Sequence, residues 1–199
     1  FLLRLFDDPS VEQGVTQQRV FFVFVSLIRL FGMDAGFAPG VHAIRSCGNS
    51  RAKVCDRAQV FGRVLERALP DLAEHFREIN LSVSTTVAPW LRTALTDFHV
   101  LSPDVVSRVW DVIFSRLRFG QEHAWHVVYK VLLVVFQRLS PMLLESGLEE
   151  SLRVLWDLEN QRPDVFGMCV SDLFGNWGVF DESMSPPSES AHLSTSEIS

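Results

Sequence analysis

The sequence predicts an all-α fold, and three observations carry that reading. Apolar residues recur at three- and four-residue steps along several segments, which builds one apolar face on each helix. Helix-start chemistry precedes many of these segments. No stretch shows the strict alternation that a half-buried strand requires. The clearest stretch runs from Ser84 to Asp111. It reads as two helices and the turn between them. Ser84, Thr85 and Thr86 each offer an oxygen to a helix start, and Pro89 needs no N–H in a first turn. Ser102 reads as the second N-cap. Pro103 supplies the φ that a first helical position wants, and Asp104 places negative charge on the positive dipole end. Val106, Val109, Trp110, Ile113 and Leu117 then share one face.

The other elements follow from the same signals. Asp7 to Thr16 is a polar connector with Pro9 and Gly14. Gln17–Phe31 is apolar nearly all round, with Phe21, Phe24, Val25 and Ile28 on one face, which predicts a central helix. Gly32–Gly40 breaks it with three glycines and a proline. Val41–Cys47 restarts a short helix, and Gly48–Lys53 is a polar, basic loop. Asp56 caps a helix carrying Val60, Phe61, Val64, Leu65 and Ala68. Pro70 ends it, and Asp71 begins another with Leu72, Phe76 and Ile79. After the central pair come Gln121–Leu139, Met142–Leu158 (divided at Gly147) and Pro163–Phe174. Pro141 is expected to separate the first two. From Asp181 the chain is rich in Ser and Pro with almost nothing to bury, which predicts a disordered tail over 181–199 behind a helical domain over 1–180. Ser185-Pro186 within it is a candidate phosphorylation site.

Composition narrows the class. The 199 residues suffice for one domain with a sizeable core. Sixteen Phe and five Trp against one Tyr predict a bulky aromatic interior. A net charge of −6 disfavours a nucleic-acid surface. Three cysteines argue against a disulfide framework and for a reducing compartment. The longest apolar runs, Val20–Ile28 and Val127–Phe136, reach about half of the roughly 20 residues a bilayer needs, so no membrane span is expected. The chain opens on Phe1, not Met, and reads as a fragment or processed product that lacks the start of its domain.

Several chemistry-bearing groups have plainer explanations. His123, His126 and Lys130 form a narrow polar stripe on an apolar helix. Glu122 beside them makes a metal-like set without the further ligands zinc requires. Cys47 and Cys55, with His42 nearby, lack zinc-knuckle spacing. Asp97, His99 and Ser102 lie close in sequence, but a catalytic triad is set by folded geometry, and capping explains Ser102. Gly32–Gly40 has no GKS or GKT and is no phosphate loop. No metal and no cofactor is expected.

Function enters with the string W-L-R-T-A-L-T-D-F-H-V-L-S-P-D-V-V-S-R-V-W-D-V-I-F. It resembles the C-terminal half of the TBC (Rab GTPase-activating) domain: a Trp early in one helix (Trp90), a turn, then a helix carrying R-x-W-D (Arg108, Trp110, Asp111). R-V-L-E-R-A-L-P-D-L-A-E-H-F before it and Trp125–Leu139 after it fit the same order, over about residues 17–146. The resemblance implies a cytoplasmic protein that meets a GTP-bound Rab-type GTPase, reaches endomembranes through that partner and acts in vesicle trafficking. Family members supply an arginine from I-x-x-D-x-x-R and a glutamine from G-Y-x-Q-G-M. The arginine stabilises charge on the transferring phosphoryl group, a contribution of about 10³–10⁵ in rate, and the amide orients the attacking water. The glutamine motif aligns here with Gly36, Phe37, Ala38, Pro39, Gly40 and Val41, with His42 at the family's usual Asn, and this segment is the implied GTPase-binding site. Pro39 stands where the glutamine belongs and has no amide. Arg4 is the arginine-finger candidate, with Phe1 in place of the motif's Asp and Leu5 where Thr is common. The resemblance therefore implies a divergent, pseudo-catalytic member. A helical scaffold with no GTPase connection is the alternative.

Overall fold

The computed structural model describes residues 17–18, 21–23, 25–26, 56–96, 100–117 and 121–175, with side chains for all of these except 117, 121–123 and 170. Nine helices lie among residues 56–175. They are α1 (56–68), α2 (Pro70–Glu78), α3 (Val83–Arg92), α4 (Pro103–Leu117), α5 (Gln121–Leu143), α6 (Leu148–Trp156), α7 (Leu158–Gln161), α8 (Pro163–Phe166) and α9 (Val170–Gly175). No strand occurs among the described residues. The all-α expectation holds.

The centre of the fold is α5. Six consecutive residues, Val131 to Phe136, are buried. Six residues turn a helix through more than one and a half revolutions, so α5 is enclosed on all sides there. Phe136 reaches rings of three other helices: Phe61 of α1 at 5.8 Å, Phe76 of α2 at 6.1 Å and Trp90 of α3 at 6.0 Å between centroids. The later helices α4, α8 and α9 pack on α5 as well, and Arg138 pairs with Asp172 of α9 at 3.4 Å. Ala124–Leu143, 20 residues at a mean hydropathy of 1.2, is long and apolar enough to cross a membrane. The run measured from sequence stopped at Gln137, but a span tolerates such interruptions. Burial within the fold accounts for the apolar composition, with 61% of that stretch inside it.

The helix of 17–31 is found at its described positions, all of which are helical. Its expected central place is not. Phe21 and Phe22 are 60% and 68% exposed. An apolar surface all round a helix shows what it can bury, not which helix wins the centre, and α5 takes that position.

Helix ends show where local rules were overridden. Ser82 caps α3, its Oγ accepting from the Thr85 N–H at 3.4 Å. The expected caps Ser84, Thr85 and Thr86 lie inside the helix. Pro89 therefore falls in the helix interior rather than its first turn. Pro141 likewise lies inside α5 and does not end it. The expected Met142–Leu158 element ends α5 at Leu143 and restarts beyond Gly147, the predicted divider, as α6. Pro163–Phe174 is split into α8 and α9. Pro70, in contrast, opens α2 as expected, with Asp71 in its first turn.

Two links tie the later helices down. His75 of α2 donates from Nε2 to the Ser146 carbonyl at 3.0 Å, joining α2 to the turn before α6. Before α8, Arg162 grips both carboxylate oxygens of Asp164, at 2.8 and 2.7 Å. That grip holds the Asp164 carboxyl below its ordinary range. A depressed carboxylate stabilises the fold above its unfolded pKa, and this contribution is lost as pH falls through the folded value. Asp164 is largely exposed, so the pair contributes less than about 1 kcal/mol. Asp164→Asn should cost no more than that at neutral pH, and urea midpoints should show the cost vanishing in acid. Phe136→Ala removes the shared ring and should cost about 3–5 kcal/mol in the same assay.

Candidate functional site

The sequence singled out the pair of helices that became α3 and α4. Residues 97–99, within their connection, lie outside the described residues, and so do Asp97 and His99. What precedes them is a tightly closed turn. The Leu95 N–H reaches the Trp90 carbonyl at 2.9 Å, and the Ala94 N–H reaches Leu91 at 3.2 Å. This is the bond pair of a Schellman C-cap. A glycine usually takes its left-handed position. Here Ala94 (φ 47°) and Leu95 (φ 67°) both adopt positive φ. Each non-glycine in this region costs about 1–2 kcal/mol. Both side chains are buried in the core, which repays the strain. By comparison, α2 ends in the same motif with Asn80 (φ 57°), a residue better suited to it.

Beyond the turn, Ser102 precedes Pro103 as expected. The Ser102 N–H donates to the Phe166 carbonyl at 2.9 Å, so the start of α4 is fixed to α8. Val106, Val109, Trp110 and Ile113 are buried, which confirms the face read from their spacing. Trp110 packs against Phe114, with centroids 5.6 Å apart. Arg108 and Asp111 point the other way and pair at 3.6 Å, both about two-thirds exposed. The R-V-W-D string thus divides into a buried ring and an exposed ion pair. Trp90, the other tryptophan of the pattern, is buried against Phe136. The two tryptophans belong to the core.

A further anchor was missed from sequence. The Arg57 guanidinium sits 5.2 Å from the centre of the Trp125 ring. Tyr129, the chain's one tyrosine, donates its hydroxyl to the Arg57 carbonyl at 3.3 Å. Trp125 and Tyr129, four residues apart on α5, have centroids 6.1 Å apart. Together they clamp the first turn of α1 to α5. The signal available was the aromatic spacing at i and i+4, which says that two rings meet but not what else they hold.

The candidate GTPase-facing residues Gly36, Phe37, Pro39, Gly40 and His42, and the arginine candidate Arg4, lie outside the described residues. So do Cys47, Cys55 and Ser185, and the side chains of Glu122 and His123. His126 and Lys130 are half-buried on α5. Among the described residues, no group of three His, Cys, Asp or Glu is placed to hold a metal ion. A cleft of about 320 Å³ opens between α1 and the α2–α3 turn. Gln59, Arg63, Glu66, Arg77, Ser82 and Ser84 supply its polar lining, a mixture that includes no histidine base for a hydroxyl nucleophile.

The helices α1 to α5 carry the sequence strings on which the resemblance rests. The family model of the Rab-GTPase-TBC domain matches residues 2–144. This chain belongs to that family. Membership carries regulation of Rab-type GTPases in general. Comparison with curated proteins and with solved structures finds no match. The family match ends one residue beyond α5, so α1 to α5 lie within the matched stretch and α6 to α9 outside it.

Because Trp110 and Asp111 are neighbours with opposite surroundings, their substitution separates packing from surface charge. Trp110→Ala should destabilise by about 3–5 kcal/mol. Asp111→Ala should cost below about 0.5 kcal/mol, in keeping with an exposed ion pair. Thermal unfolding followed by circular dichroism reads both.

Proposed function

We propose that this TBC-domain protein binds a GTP-bound Rab-type GTPase through the segment containing Gly36, Phe37, Pro39, Gly40 and His42, without accelerating hydrolysis by the two-residue mechanism. The observation that carries the reading is the proline at position 39, set within a chain whose family membership rests on residues 2–144. Orienting a water requires a side-chain group that can hydrogen-bond to it, and the proline ring has none. The scaffold tryptophans Trp90 and Trp110 are buried in a continuous core. The departures from the family pattern fall on the chemistry and spare the packing.

In this reading the protein is a pseudo-catalytic regulator. It occupies a GTPase without discharging it, in the cytoplasm and at the endomembranes where that GTPase resides. Its role in vesicle trafficking is then to hold or shield the GTP-bound partner. In this reading Arg4 is the arginine offered to the phosphates, and an arginine alone supplies charge but no positioned water.

The test is single-turnover GTP hydrolysis across a Rab panel, paired with pull-downs on GTP- and GDP-loaded protein. The expected result is nucleotide-dependent binding with acceleration below about tenfold, against roughly 10³–10⁵ for a complete arginine-finger mechanism. Strong acceleration that Arg4→Ala abolishes would overturn the proposal. Absence of nucleotide-dependent binding to every Rab would instead support a helical scaffold with no GTPase connection.

A further inference from the structure

The side of α1 that lies toward α2 and α3 is not fully packed. Gln59, Gly62, Arg63 and Glu66 follow at the three- and four-residue steps of one helix face, and all four line the cleft of about 320 Å³. Its floor is apolar: Ala73, Phe76 and Leu81 line it and are buried. Arg63 comes from α1 and Arg77 from α2, and both are exposed. Among the described residues neither guanidinium has an ion pair or a hydrogen-bond partner.

Gly62 gives the cleft its depth. It lies in the middle of α1 (56–68), where glycine is the poorest helix former after proline. A Cβ built on it would meet nothing within 4 Å. No neighbour in the fold therefore requires a glycine here. What the missing side chain leaves is room in the cleft. The opposite wall adds a hydroxyl donor. Thr85 donates from Oγ1 to Ser82 Oγ at 3.0 Å, and Ser82 and Ser84 share one bond at 3.2 Å. Whichever serine donates in that bond, the other keeps its hydroxyl hydrogen for a ligand. Beside the amide of Gln59, the lining thus offers two guanidiniums and a hydroxyl as donors against one carboxylate, Glu66.

We infer that this cleft binds a small organic phosphate monoester, with its phosphoryl group between Arg63 and Arg77 and its apolar body on the floor. A carboxylate has two oxygens, which a single guanidinium fork satisfies. A phosphoryl dianion has three free oxygens and a second charge, so it uses both arginines. Glu66, one turn along α1 from Arg63, repels a second phosphoryl group and so selects against di- and triphosphates. The volume sits at the lower end of the range for small-molecule sites, about 300–1,000 Å³. The cleft is built from α1 to α3 alone, so the inference does not depend on the segment proposed to meet the GTPase.

The experiment titrates the full chain with phenyl phosphate by isothermal titration calorimetry, with inorganic phosphate, benzoate and pyrophosphate in parallel. Phenyl phosphate should bind at least about tenfold more tightly than each of the other three. Arg63→Gln and Arg77→Gln should each weaken it by about tenfold or more, through loss of a charge-assisted pair. Glu66→Gln should narrow the gap to pyrophosphate. Gly62→Leu should fill the cleft and abolish binding while its thermal midpoint stays at or above the parent's, because leucine is the better helix former. If Gly62→Leu fails to fold, the arginine substitutions, at exposed positions, carry the test. A short phosphotyrosine peptide run alongside distinguishes a free ester from one carried on a protein, and preference for either supports the site. The inference is overturned if phenyl phosphate does not bind, if its binding survives both arginine substitutions or a folded Gly62→Leu, or if any of the three control anions binds equally well.

Discussion

The ring of Phe136 is the contact on which the fold depends. It meets aromatic side chains from α1, α2 and α3, three helices that each present an apolar face needing a partner. Aromatic pairs at about 6 Å add roughly 0.5–1.5 kcal/mol each beyond the area they bury. The larger effect is geometric. One side chain sets the distance of three helices from a fourth, so their mutual spacing is no longer independent. The helices α4, α8 and α9 also pack on α5, and the core is continuous through it.

That arrangement explains what the sequence disclosed and what it withheld. Helix existence was legible because each segment carries its own periodicity and its own start. Leu69–Pro70 and Ser102–Pro103 mark α2 and α4 by local chemistry alone. The errors fall on Pro89 and Pro141. Proline removes one backbone donor and crowds the carbonyl four residues back, a cost of about 3 kcal/mol. Read locally, that cost confines Pro89 to a first turn and makes Pro141 a helix end. In the folded chain, Val87, Trp90 and Leu91 around Pro89, and Leu139 and Leu143 around Pro141, are buried, and their packing outweighs it. Phe21 shows the converse. Its apolar neighbours suggested a central helix, but competition for the centre is decided between segments, and α5 has the longer enclosed run.

The candidate site was legible in a different sense. The string from Trp90 to Asp111 carried the resemblance to the family, and the structure shows what its spacing does in this chain. Trp90 and Trp110 must both reach the core across a turn whose backbone is strained at Ala94 and Leu95. A change in turn length would rotate one of them out. Arg108 and Asp111, by contrast, are exposed and held by a weak pair, so packing does not explain their presence. The clamp of Arg57 by Trp125 and Tyr129 was not legible, because it joins residues about 70 apart in sequence that follow no shared pattern.

The position of α5 also fixes the order in which the chain can fold during its own synthesis. The faces of α1, α2 and α3 that meet Phe136 are complete once residue 92 has emerged. Their partner ends only at Leu143. At about 5–20 residues per second, translation leaves those faces without α5 for several seconds. Docking of α1–α3 on one another then lacks the ring that sets their spacing. The nascent chain is therefore a natural client for chaperones that bind exposed apolar helices, and slow translation through residues 93–143 would lengthen that exposure rather than assist folding.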